Sequence, residues 1–542
     1  MERVIYRGKL LFPEGFHSGD GRRLEAVDQP LFRDPDGGIS LAGSSFAGAL
    51  RQDLHLLQEA LGKAPCTEEP KCPCAVCSLM GPRAKTRRGQ EETPLRASRL
   101  YVSAGRAEAG ARVNVRDRVG IDRRTRAAAD QRKYDLETVE AGVAFPFELK
   151  IDDPEPGELA LLEASLRRLA EGWWFLGGKT SSGLGRVELQ KLSRERLALG
   201  DKPTLIAYLL DEPSPGGGPR SLLRDGGGWA EPGWSLEPAG DAGTRGWAQV
   251  ALRLRLHFPW GFLVNDPGEA ALRGKDHSFT RRSDGVPLLP GSSLRGALRS
   301  QAERILRTLA GDAGACDLHR KGQACHEKVL KENEARAASG RAALSFEEEL
   351  TWLCPACRVF GCGRLVSSVR VTDFQPVEER GWEEMHHELV AIDRFTGGAA
   401  AGFKFDAEAA AGVSLEGEIR LELRAGRLEA WGLGLLTLAL RDLLRQEIPL
   451  GFGTAKGLNE VEVSVREVAV FRLAPSSALE LGCLPAGPGT HRFRPGDVDA
   501  GPEPALQAAE RHFGPAARGW VAALHKELAR KPQPPSTQEA RP

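Results

Sequence analysis

A segment of 24 residues occurs twice in this chain, and this repeat limits the folds that the sequence can form. The first copy runs from Asp28 to Arg51 and the second from Asp276 to Arg299. Aligned without a gap, they share 12 of 24 residues: an Asp, an Arg five residues later, an Asp-Gly pair, a Leu, and the blocks Gly-Ser-Ser and Gly-Ala-Leu-Arg. Average composition would give roughly one or two identities. The chain of 542 residues therefore contains two related units and is long enough for two domains.

Each copy ends in a pattern typical of a loop that leads into a helix. Ser44 or Ser45 in the first copy, and Ser292 or Ser293 in the second, can cap the free amides at a helix start. The glycine of the following Gly-Ala-Leu-Arg lets another group approach closely. Free amides and the helix dipole both favour negative charge, so the junction predicts an anion site. Two such sites suggest a polyanion with its own repeat.

Three other motifs occur once in each unit. Phe-Pro-x-Gly-Phe follows a strand-like alternating segment at Phe12 and again at Phe258. Val-Gly-Ile-Asp-Arg-Arg-Thr, from Val119, matches Val-Ala-Ile-Asp-Arg-Phe-Thr, from Val390. A Gly-rich loop with basic residues precedes the last strand of each unit, at 177–186 and 451–458. Such loops hold phosphates through backbone amides, and a position before a strand does not fit a dinucleotide fingerprint.

The segment from Arg112 to Glu137 is locally basic, although the whole chain is neutral. It holds eight cations against five acids, whereas the chain has 74 Lys and Arg against 74 Asp and Glu. Few large apolar residues interrupt the segment, which indicates an exposed arm or hairpin. A solvated charged surface explains such a run as well, but the repeated motif within it favours phosphate contact.

Nine of the ten cysteines fall in two clusters. Disulfides are rare in reducing cytosol, so the clusters indicate metal sites, and four thiolates within twelve residues suit one tetrahedral zinc. Reduced cysteines buried as small apolar groups are the alternative. With four protein ligands, such a zinc would be structural. The first cluster is Cys66, Cys72, Cys74 and Cys77; the second is Cys316, Cys325, Cys354, Cys357 and Cys362, with His319 and His326 nearby, so its ligand set stays open.

The domain boundaries follow from composition. We predict a first domain at 1–195, a Gly/Pro-rich linker at 196–247, a second domain at 248–475, and a C-terminal extension at 476–542 with one helix and a disordered tail. The first residues lack an apolar signal core, and no run approaches the ~18 apolar residues of a membrane span. We therefore expect a cytoplasmic protein without a membrane partner.

In this order, the motifs resemble the backbone-forming branch of the RAMP (repeat-associated mysterious protein) superfamily, found in type III CRISPR effector complexes. The resemblance covers about residues 3–190 and 250–465. Two units in one chain resemble the tandem backbone subunits of fused type III variants such as the III-D group. The resemblance implies an α+β fold of two tandem modified RNA-recognition-motif (ferredoxin-like) domains, each with a cysteine-rich insertion and a Gly-rich loop.

The resemblance also implies a function. Subunits of this family stack along a guide RNA, and a thumb-like hairpin interrupts the guide–target duplex at intervals. An Asp in the loop before the Gly-Ser-Ser block cleaves the target RNA there with a divalent metal. By position this Asp is Asp28, and in the second unit Asp276, where Ser278 replaces the proline that follows Asp28 as Pro30. The alternative for either Asp is a turn cap or a salt bridge, for example to Arg33 or Arg281.

The repeated motifs and the resemblance together give the expected site residues, cofactors and partners. The expected cofactors are one or two structural Zn²⁺ ions and Mg²⁺, or another divalent ion, for cleavage. The expected partners are the guide RNA, the complementary target RNA, and the large signalling subunit, small subunit and other backbone subunits of the complex. The residues expected to bind RNA are Arg33, Gly43, Ser44, Ser45, Arg51, Arg123, Arg124, Lys179, Ser181, Ser182 and Arg186 in the first unit, and Arg281, Gly291, Ser292, Ser293, Arg299, Arg394, Phe395, Thr454 and Lys456 in the second.

Two other functions remain open at this point. The chain could be an architectural guide-binding subunit whose acids do no chemistry. It could also be a guide-processing endonuclease of the same superfamily, which typically uses a histidine near the N-terminal helix and has one Gly-rich loop. The two Gly-rich loops count against the second alternative. So does His17, because the corresponding residue in the second unit is Leu263.

Overall fold

The computed structural model describes most of the chain. The described residues are 1–21, 27–63, 66–67, 72–82, 97–123, 125–213, 218–224, 229–230, 246–311, 314–318, 320, 322–378, 380–472, 489–494 and 505–529, with side chains in the last range from 516 onward. The described elements up to residue 221 are β1 (Arg3–Phe12), α1 (Gly43–Ala60), α2 (Ala75–Met80), β2 (Leu100–Ala104), β3 (Val113–Ile121), β4 (Ala128–Val139), β5 (Val143–Asp152), α3 (Pro156–Ala170), β6 (Trp174–Phe175), β7 (Ser182–Gly183), β8 (Arg186–Leu197), α4 (Lys202–Leu209) and β9 (Arg220–Ser221).

The described elements after residue 221 follow the same order, with additional helices and strands. They are β10 (Trp247–Phe258), α5 (Pro267–Leu272), α6 (Gly291–Ala310), α7 (Cys325–Ala338), α8 (Phe346–Thr351), α9 (Pro355–Phe360), β11 (Val369–Thr372), β12 (Gln375–Pro376), β13 (Glu383–Ile392), β14 (Ala399–Ala411), β15 (Val413–Arg424), α10 (Ala430–Leu444), a 3₁₀ turn (Thr454–Lys456), β16 (Glu462–Arg472), β17 (Gly489–Phe493) and α11 (Ala505–Ala529).

The first unit is built on an antiparallel sheet whose principal strands lie in the order β2-β5-β1-β8. β1 is central, and its alternating side chains Val4, Tyr6, Leu10 and Phe12 are buried. The chain forms β1, α1, β2, β5, α3 and β8 in sequence. This is the βαββαβ connectivity of a ferredoxin-like fold.

The second unit repeats this sheet as β11-β15-β10-β16, with β17 added beyond β16. The two sheets have the same register. Tyr6, six residues before Phe12, pairs with Leu149, and Leu252, six residues before Phe258, pairs with Ile419. The predicted α+β fold with two tandem modified RNA-recognition-motif domains is therefore confirmed.

A long two-stranded hairpin is inserted into each unit between the second and third strands of its sheet. The basic segment of the first unit forms the β3–β4 hairpin, as predicted, and β13–β14 is its counterpart. The last residue of Phe-Pro-x-Gly-Phe anchors each hairpin at its base. Phe16 exchanges backbone hydrogen bonds with Val139 (2.9 and 2.8 Å), and Phe262 with Ala410 (2.7 and 3.0 Å). The repeated motif thus sets where each hairpin leaves the sheet.

The helices after the Gly-Ser-Ser blocks bury an apolar stripe against each sheet, with Leu50, Leu54 and Leu57 fully buried in α1. The predicted serine caps are wrong. The N-cap residues are Ala42 and Pro290, neither makes a side-chain cap hydrogen bond, and the serines follow in the first turn. Each helix begins at the glycine because this residue packs against an edge strand. A Cβ atom on Gly43 would lie 2.9 Å from the carbonyl oxygen of Val102.

Two sequence patterns differ from the structure. The amphipathic pattern from Glu158 to Leu176 predicts one helix, but α3 ends at Ala170 and Trp174 begins a short strand on β8. The apolar run at 205–210 predicts a short segment that packs on a neighbour. Most of it lies in α4, but Leu209 is 70% exposed, and Tyr208 makes the packing contact with the first sheet.

The C-terminal helix α11 packs on α10, so closely that a Cβ atom on Gly434 would lie 2.2 Å from the carbonyl oxygen of Trp520. The predicted disordered tail lies outside the described residues. Of the described helices, none has the length and apolar character needed to cross a membrane.

Candidate functional site

Asp28 lies beside the returning strand of the first hairpin. Its backbone N–H donates to Oδ1 of Asp135 in β4 (2.5 Å), and the backbone N–H of Asp135 donates to Oδ2 of Asp28 (3.3 Å). Gln29 forms a parallel bridge with Leu136 immediately beyond this pair. Reciprocal hydrogen bonds between backbone and carboxylate therefore join two segments that are 107 residues apart.

Asp276 has the same arrangement in the second unit. Its backbone N–H donates to Oδ1 of Asp406 in β14 (2.8 Å), and the N–H of Asp406 donates to Oδ2 of Asp276 (2.9 Å). Nζ of Lys275 lies 3.0 Å from Oδ2 of Asp406. The amide of Asp276 and the Lys275 ammonium hold the pKa of Asp406 below its ordinary value, because both stabilise the charged form.

Asp135 and Asp406 are not among the residues predicted for the site, although the sequence contains a signal for them. Tyr134-Asp135-Leu136-Glu137 matches Phe405-Asp406-Ala407-Glu408, an aromatic residue followed by Asp-x-Glu in each unit. The match was hidden because the Asp lies 107 residues from its partner in one unit and 130 residues in the other. The replacement of Pro30 by Ser278 leaves the arrangement of the second unit unchanged.

The Gly-rich loop of each unit reaches the same strand of the hairpin. Nζ of Lys179 lies 4.8 Å from the ring centre of Tyr134, and Nζ of Lys456 lies 4.0 Å from that of Phe405. Each ammonium lies over an aromatic face, a contact favoured by the ring quadrupole. Each unit therefore brings the Asp loop, the hairpin and the basic Gly-rich loop to one place.

Arg33 and Arg281 pair with glutamates of the hairpin rather than with Asp28 or Asp276, among the described residues. Nη2 of Arg33 lies 3.3 Å from Oε1 of Glu137, and Nη2 of Arg281 lies 3.2 Å from Oε2 of Glu408. Arg33 is exposed. Arg281 is buried against the ring of Phe279, 3.5 Å from its centre, and burial lowers its pKa. Arg281 therefore holds the base of its hairpin.

The start of α6 binds a carboxylate at the predicted anion site. Oδ1 of Asp373, which follows β11, accepts the backbone N–H of Gly291 (2.8 Å). Asp373 also pairs with Arg116 from β3 of the first unit, and both side chains are buried. Ala104 of the first unit corresponds to Asp373. The start of α1 therefore has no carboxylate at this position.

The two units meet where the Gly-rich loop of the first contacts the start of α6. We define the docking surface of a unit as the start of the helix that begins at its Gly-Ser-Ser block, the adjoining edge strand, and the residue at the end of that strand. In the second unit these are α6, β11 and Asp373. β7 pairs with β11 in parallel, Ser182 beside Val371 and Gly183 beside Thr372. Both terminal nitrogens of Arg118 donate to the carbonyl oxygen of Ser182 (3.2 Å). The first unit therefore extends the sheet of the second.

Gly183 is required at this junction. Its φ is +108°, and a Cβ atom there would lie 1.8 Å from Oδ1 of Asp373. Gly457, the corresponding residue of the second loop, has φ +82° but nothing within 4 Å of such an atom. We expect Gly183→Ala to lower the free energy of unfolding by about 1–3 kcal/mol more than Gly457→Ala, because both pay the backbone strain and only the first clashes. Denaturant unfolding of the two variants measures this, and equal losses would contradict the described junction.

Three other arginines expected to bind RNA have their guanidinium groups bonded inside the fold. Nη1 of Arg51 donates to the carbonyl oxygen of Gly81 (2.8 Å), and Nη1 of Arg299 to that of Gly361 (2.9 Å). Both cations lie at the carboxyl end of the short helix that a Cys-x-x-Cys pair opens, where the helix dipole favours positive charge. Arg186 pairs with Glu14 and Glu188 at 2.7 Å.

The remaining RNA-binding candidates lie at the surface or at the junction. Arg123 pairs with Glu303 across the junction (3.0 Å), and Arg124 lies outside the described residues. Arg394 is exposed and Phe395 is fully exposed at the tip of the second hairpin. Thr454 is exposed in the second Gly-rich loop, Ser44 is exposed at the start of α1, and Ser45, Ser181, Ser292 and Ser293 are partly exposed.

The first cysteine cluster fits a zinc ion. The sulfur atoms of Cys66, Cys72, Cys74 and Cys77 all lie within 4.8 Å of one another. Sγ of Cys66 is 3.4 Å from that of Cys77 and 3.8 Å from that of Cys72. Four sulfurs bound tetrahedrally at ~2.3 Å would be about 3.8 Å apart. The cluster can therefore hold a structural metal with little movement.

Four of the five cysteines in the second cluster lie close enough together to hold one metal ion. Cys316, Cys325, Cys354 and Cys357 meet the same 4.8 Å criterion, and Cys362 stands outside this group. Sγ of Cys316 lies 3.5 Å from that of Cys357. Cys74–Cys77 and Cys354–Cys357 are equivalent Cys-x-x-Cys pairs that open α2 and α9, so the two insertions share this part of the site.

One further group of described residues could hold a divalent ion. Ligand atoms of Glu384, His386 and Glu408 also lie within 4.8 Å of one another at the base of the second hairpin. Arg273 and Arg281 already pair with both glutamates at 2.8–3.2 Å. These two cations neutralise the group.

His17 follows Phe16 in the loop after β1 and is buried. The side chain is 4% exposed, and its Nδ1 lies 2.8 Å from the carbonyl oxygen of Glu137. Burial lowers the pKa of His17, so the neutral imidazole is favoured. This is a structural histidine at the base of the first hairpin.

Comparison with known proteins identifies the family. None of the curated proteins gives a significant match to this chain. The family model of the RAMP superfamily matches residues 14–188 and again residues 255–458. These regions contain the two hairpins, both Asp loops and both cysteine clusters. The chain belongs to the RAMP superfamily, with one match in each of its two units.

Proposed function

We propose that the chain is a guide-RNA-binding backbone subunit of a type III CRISPR effector complex and that it cuts complementary RNA at Asp28 and at Asp276. Membership of the RAMP superfamily suggests a CRISPR-associated RNA-binding subunit. The observation that carries the finer proposal is the repeated site. In each unit a loop Asp, the returning strand of a hairpin and a lysine of the Gly-rich loop occupy corresponding places.

The site supplies what RNA cleavage needs from the protein. In each pair one carboxylate oxygen of Asp28 or Asp276 accepts a backbone amide, which holds the side chain in one orientation. Carboxylate oxygens suit Mg²⁺, which would bind at Asp28 and at Asp276. When bound, such an ion offsets the negative charge that develops at the phosphate.

The exposed tips of the hairpins support contact with an RNA duplex. Val119 and Ile121 in the first hairpin are 48% and 41% exposed, and Ile392 and Phe395 in the second are 59% and 100% exposed. Apolar and aromatic side chains beside Arg394 suit stacking against bases and pairing with phosphates. A hairpin of this kind can separate two stretches of a guide–target duplex.

The guide RNA would be held through amides and hydroxyls more than through the buried arginines. The guanidinium groups of Arg51, Arg281 and Arg299 are bonded within the fold. If they bound RNA, their present acceptors would need other donors. Ser44 and the start of α1 present backbone amides without a side-chain cap. Such contacts read the RNA backbone and leave sequence recognition to base pairing.

Support for additional backbone subunits comes from the asymmetry of the junction. The docking surface of the second unit is covered by the first unit. The corresponding surface of the first unit, formed by α1, β2 and Ala104, has a cavity of about 320 Å³ lined by Gly43, Ser44 and Val102. At the other end, the Gly457 loop is exposed. We infer that another RAMP chain joins at each end, in a cytoplasmic complex.

The second candidate function is architectural. Asp28 and Asp276 both hold a backbone amide of the hairpin, which is a structural role that needs no chemistry. In this alternative the chain binds the guide RNA and another subunit does the cutting. The guide-processing alternative is less favoured, because His17 is buried and bonded within the fold.

The experiment that separates these functions uses the assembled, guide-loaded complex. A labelled complementary RNA is added with Mg²⁺, and a parallel reaction contains EDTA. We expect two cuts per chain at a fixed spacing, their loss in EDTA, and unchanged guide binding in both reactions. Guide binding without any cut attributable to this chain would support the architectural function.

A further inference from the structure

Each loop Asp is held by a second Asp through the same pair of hydrogen bonds. The distances are 2.5 and 3.3 Å for Asp28 and Asp135, and 2.8 and 2.9 Å for Asp276 and Asp406. In both units the second Asp accepts the amide of the first through Oδ1, and the first accepts the amide of the second through Oδ2. The contact is therefore present in both units, although the residues around it differ.

We propose that Asp135 and Asp406 are positioning residues for Asp28 and Asp276, fixing the backbone of the loop and the rotation of its carboxylate. This inference rests on the proposed function, since it matters for the reaction only if the loop acids act on RNA. It concerns hairpin residues to which no role has been assigned.

The geometry indicates how the positioning works. The Asp135 carboxylate fixes the amide of Asp28, and the Asp135 amide fixes one oxygen of the Asp28 carboxylate, so both ends of residue 28 are held. A hydrogen bond from an amide to a carboxylate is stronger than one between neutral groups. The parallel bridges Gln29–Leu136 and His277–Ala407 continue the contact by one residue. The second carboxylate oxygen of Asp28 or Asp276 takes no part in the pair.

The hairpin would therefore set the position of the acid that cuts. The strand that carries Asp135 also carries Glu137, whose Oε2 accepts the backbone N–H of Leu31 (2.8 Å). Hence β4 holds the Asp28 loop at two points, three residues apart in the loop. Movement of the hairpin against an RNA duplex would move the loop acid with it.

The test compares Asp135→Ala with Asp135→Asn in the guide-loaded complex. Asparagine keeps an oxygen that can accept the amide of Asp28 and removes only the charge. We expect Asp135→Ala to slow the cut assigned to Asp28 by about 10- to 100-fold, since small misplacements of a reacting group have effects of that size. We expect Asp135→Asn to stay within about threefold of wild type. The cut assigned to Asp276 serves as an internal control and should not change, and Asp406→Ala and Asp406→Asn should give the converse result.

A second measurement does not depend on cleavage. Hydrogen–deuterium exchange of the peptide containing residues 27–31 should become faster in Asp135→Ala and stay near wild type in Asp135→Asn. The exposed Asp130, on the same strand, gives the matched control Asp130→Ala, which should change neither cleavage nor exchange.

The possible failures are distinct. If Asp135→Asn slows the cut as strongly as Asp135→Ala, the charge of Asp135 matters and the positioning proposal is wrong. Unchanged cleavage and exchange in Asp135→Ala would also overturn it. A wild-type complex that binds guide and target but cuts nothing would refute the proposed function, and the exchange measurement alone would then decide whether Asp135 holds the loop.

Discussion

Asp28→Ala is expected to remove one of two cuts in a complementary RNA, and Asp276→Ala the other. Each carboxylate lies in its own unit, held by its own hairpin, so each variant should slow only its own cut by at least about 10²-fold. That factor corresponds to the several kcal/mol that a charged group with a metal supplies in the transition state. The double variant should leave the RNA intact. Gel analysis of end-labelled RNA resolves the two cuts.

Guide-RNA binding must be measured in the same preparations. Loss of either loop acid removes one hydrogen bond to the hairpin, but the bridges beside it and the glutamate contacts remain, so assembly should persist. The control Asp130→Ala removes an acid from the first hairpin without touching the pair. If both cuts survive in the double variant, another subunit cuts and the chain is architectural.

We expect the wild-type chain to bind two zinc ions, the metal that four thiolates favour, and Cys357→Ser to bind one and to unfold the second cysteine-rich insertion. Structural zinc contributes about 10 kcal/mol or more to the folding of small domains that depend on it. Cys357 is fully buried among three other sulfur ligands, so a hydroxyl there leaves an incomplete site. Elemental analysis gives the zinc content, and limited proteolysis between residues 316 and 362 reports unfolding.

Cys362→Ser is the matched control for this experiment. Cys362 is only five residues further along the chain but lies outside the group of four ligands. This variant should keep two zinc ions and resist protease like wild type. Cys77→Ser should likewise remove one ion, from the first unit. Loss of zinc from Cys362→Ser would mean that the fifth cysteine replaces one of the four assigned ligands.

Sequence patterns predicted the parts of the fold that repeat in order. The local spacing of residues is enough to predict the alternating strands before Phe12 and Phe258, the basic hairpin and the Cys-x-x-Cys pairs. Folding does not change that spacing. The ferredoxin-like order of strands followed from the family resemblance. The two-unit organisation was clear because the unit repeats without a gap over 24 residues.

The parts that sequence could not predict depend on contacts distant in the chain. Asp135 bonds to a loop that lies 107 residues earlier in the chain, and no local sequence pattern indicates this contact. Arg51 and Arg299 belong to the repeated block and were therefore expected at the RNA. They instead face inward, where helix carbonyls of the cysteine-rich insertion accept their hydrogen bonds. The Gly-Ser-Ser pattern predicts serine caps, whereas glycine starts each helix because an edge strand leaves no room for a side chain.

The buried pair Arg116–Asp373 has a consequence for the order in which units can assemble. At the position of Arg116 the second hairpin has His387, and at that of Asp373 the first docking surface has Ala104. Two first units placed together would bury Arg116 without a carboxylate. Two second units would leave Asp373 without its guanidinium, and each error would cost roughly 3–5 kcal/mol. Only a first unit docked on a second unit pairs Arg116 with Asp373. This ion pair therefore disfavours the contact of two first units or of two second units, independently of the peptide that links the units.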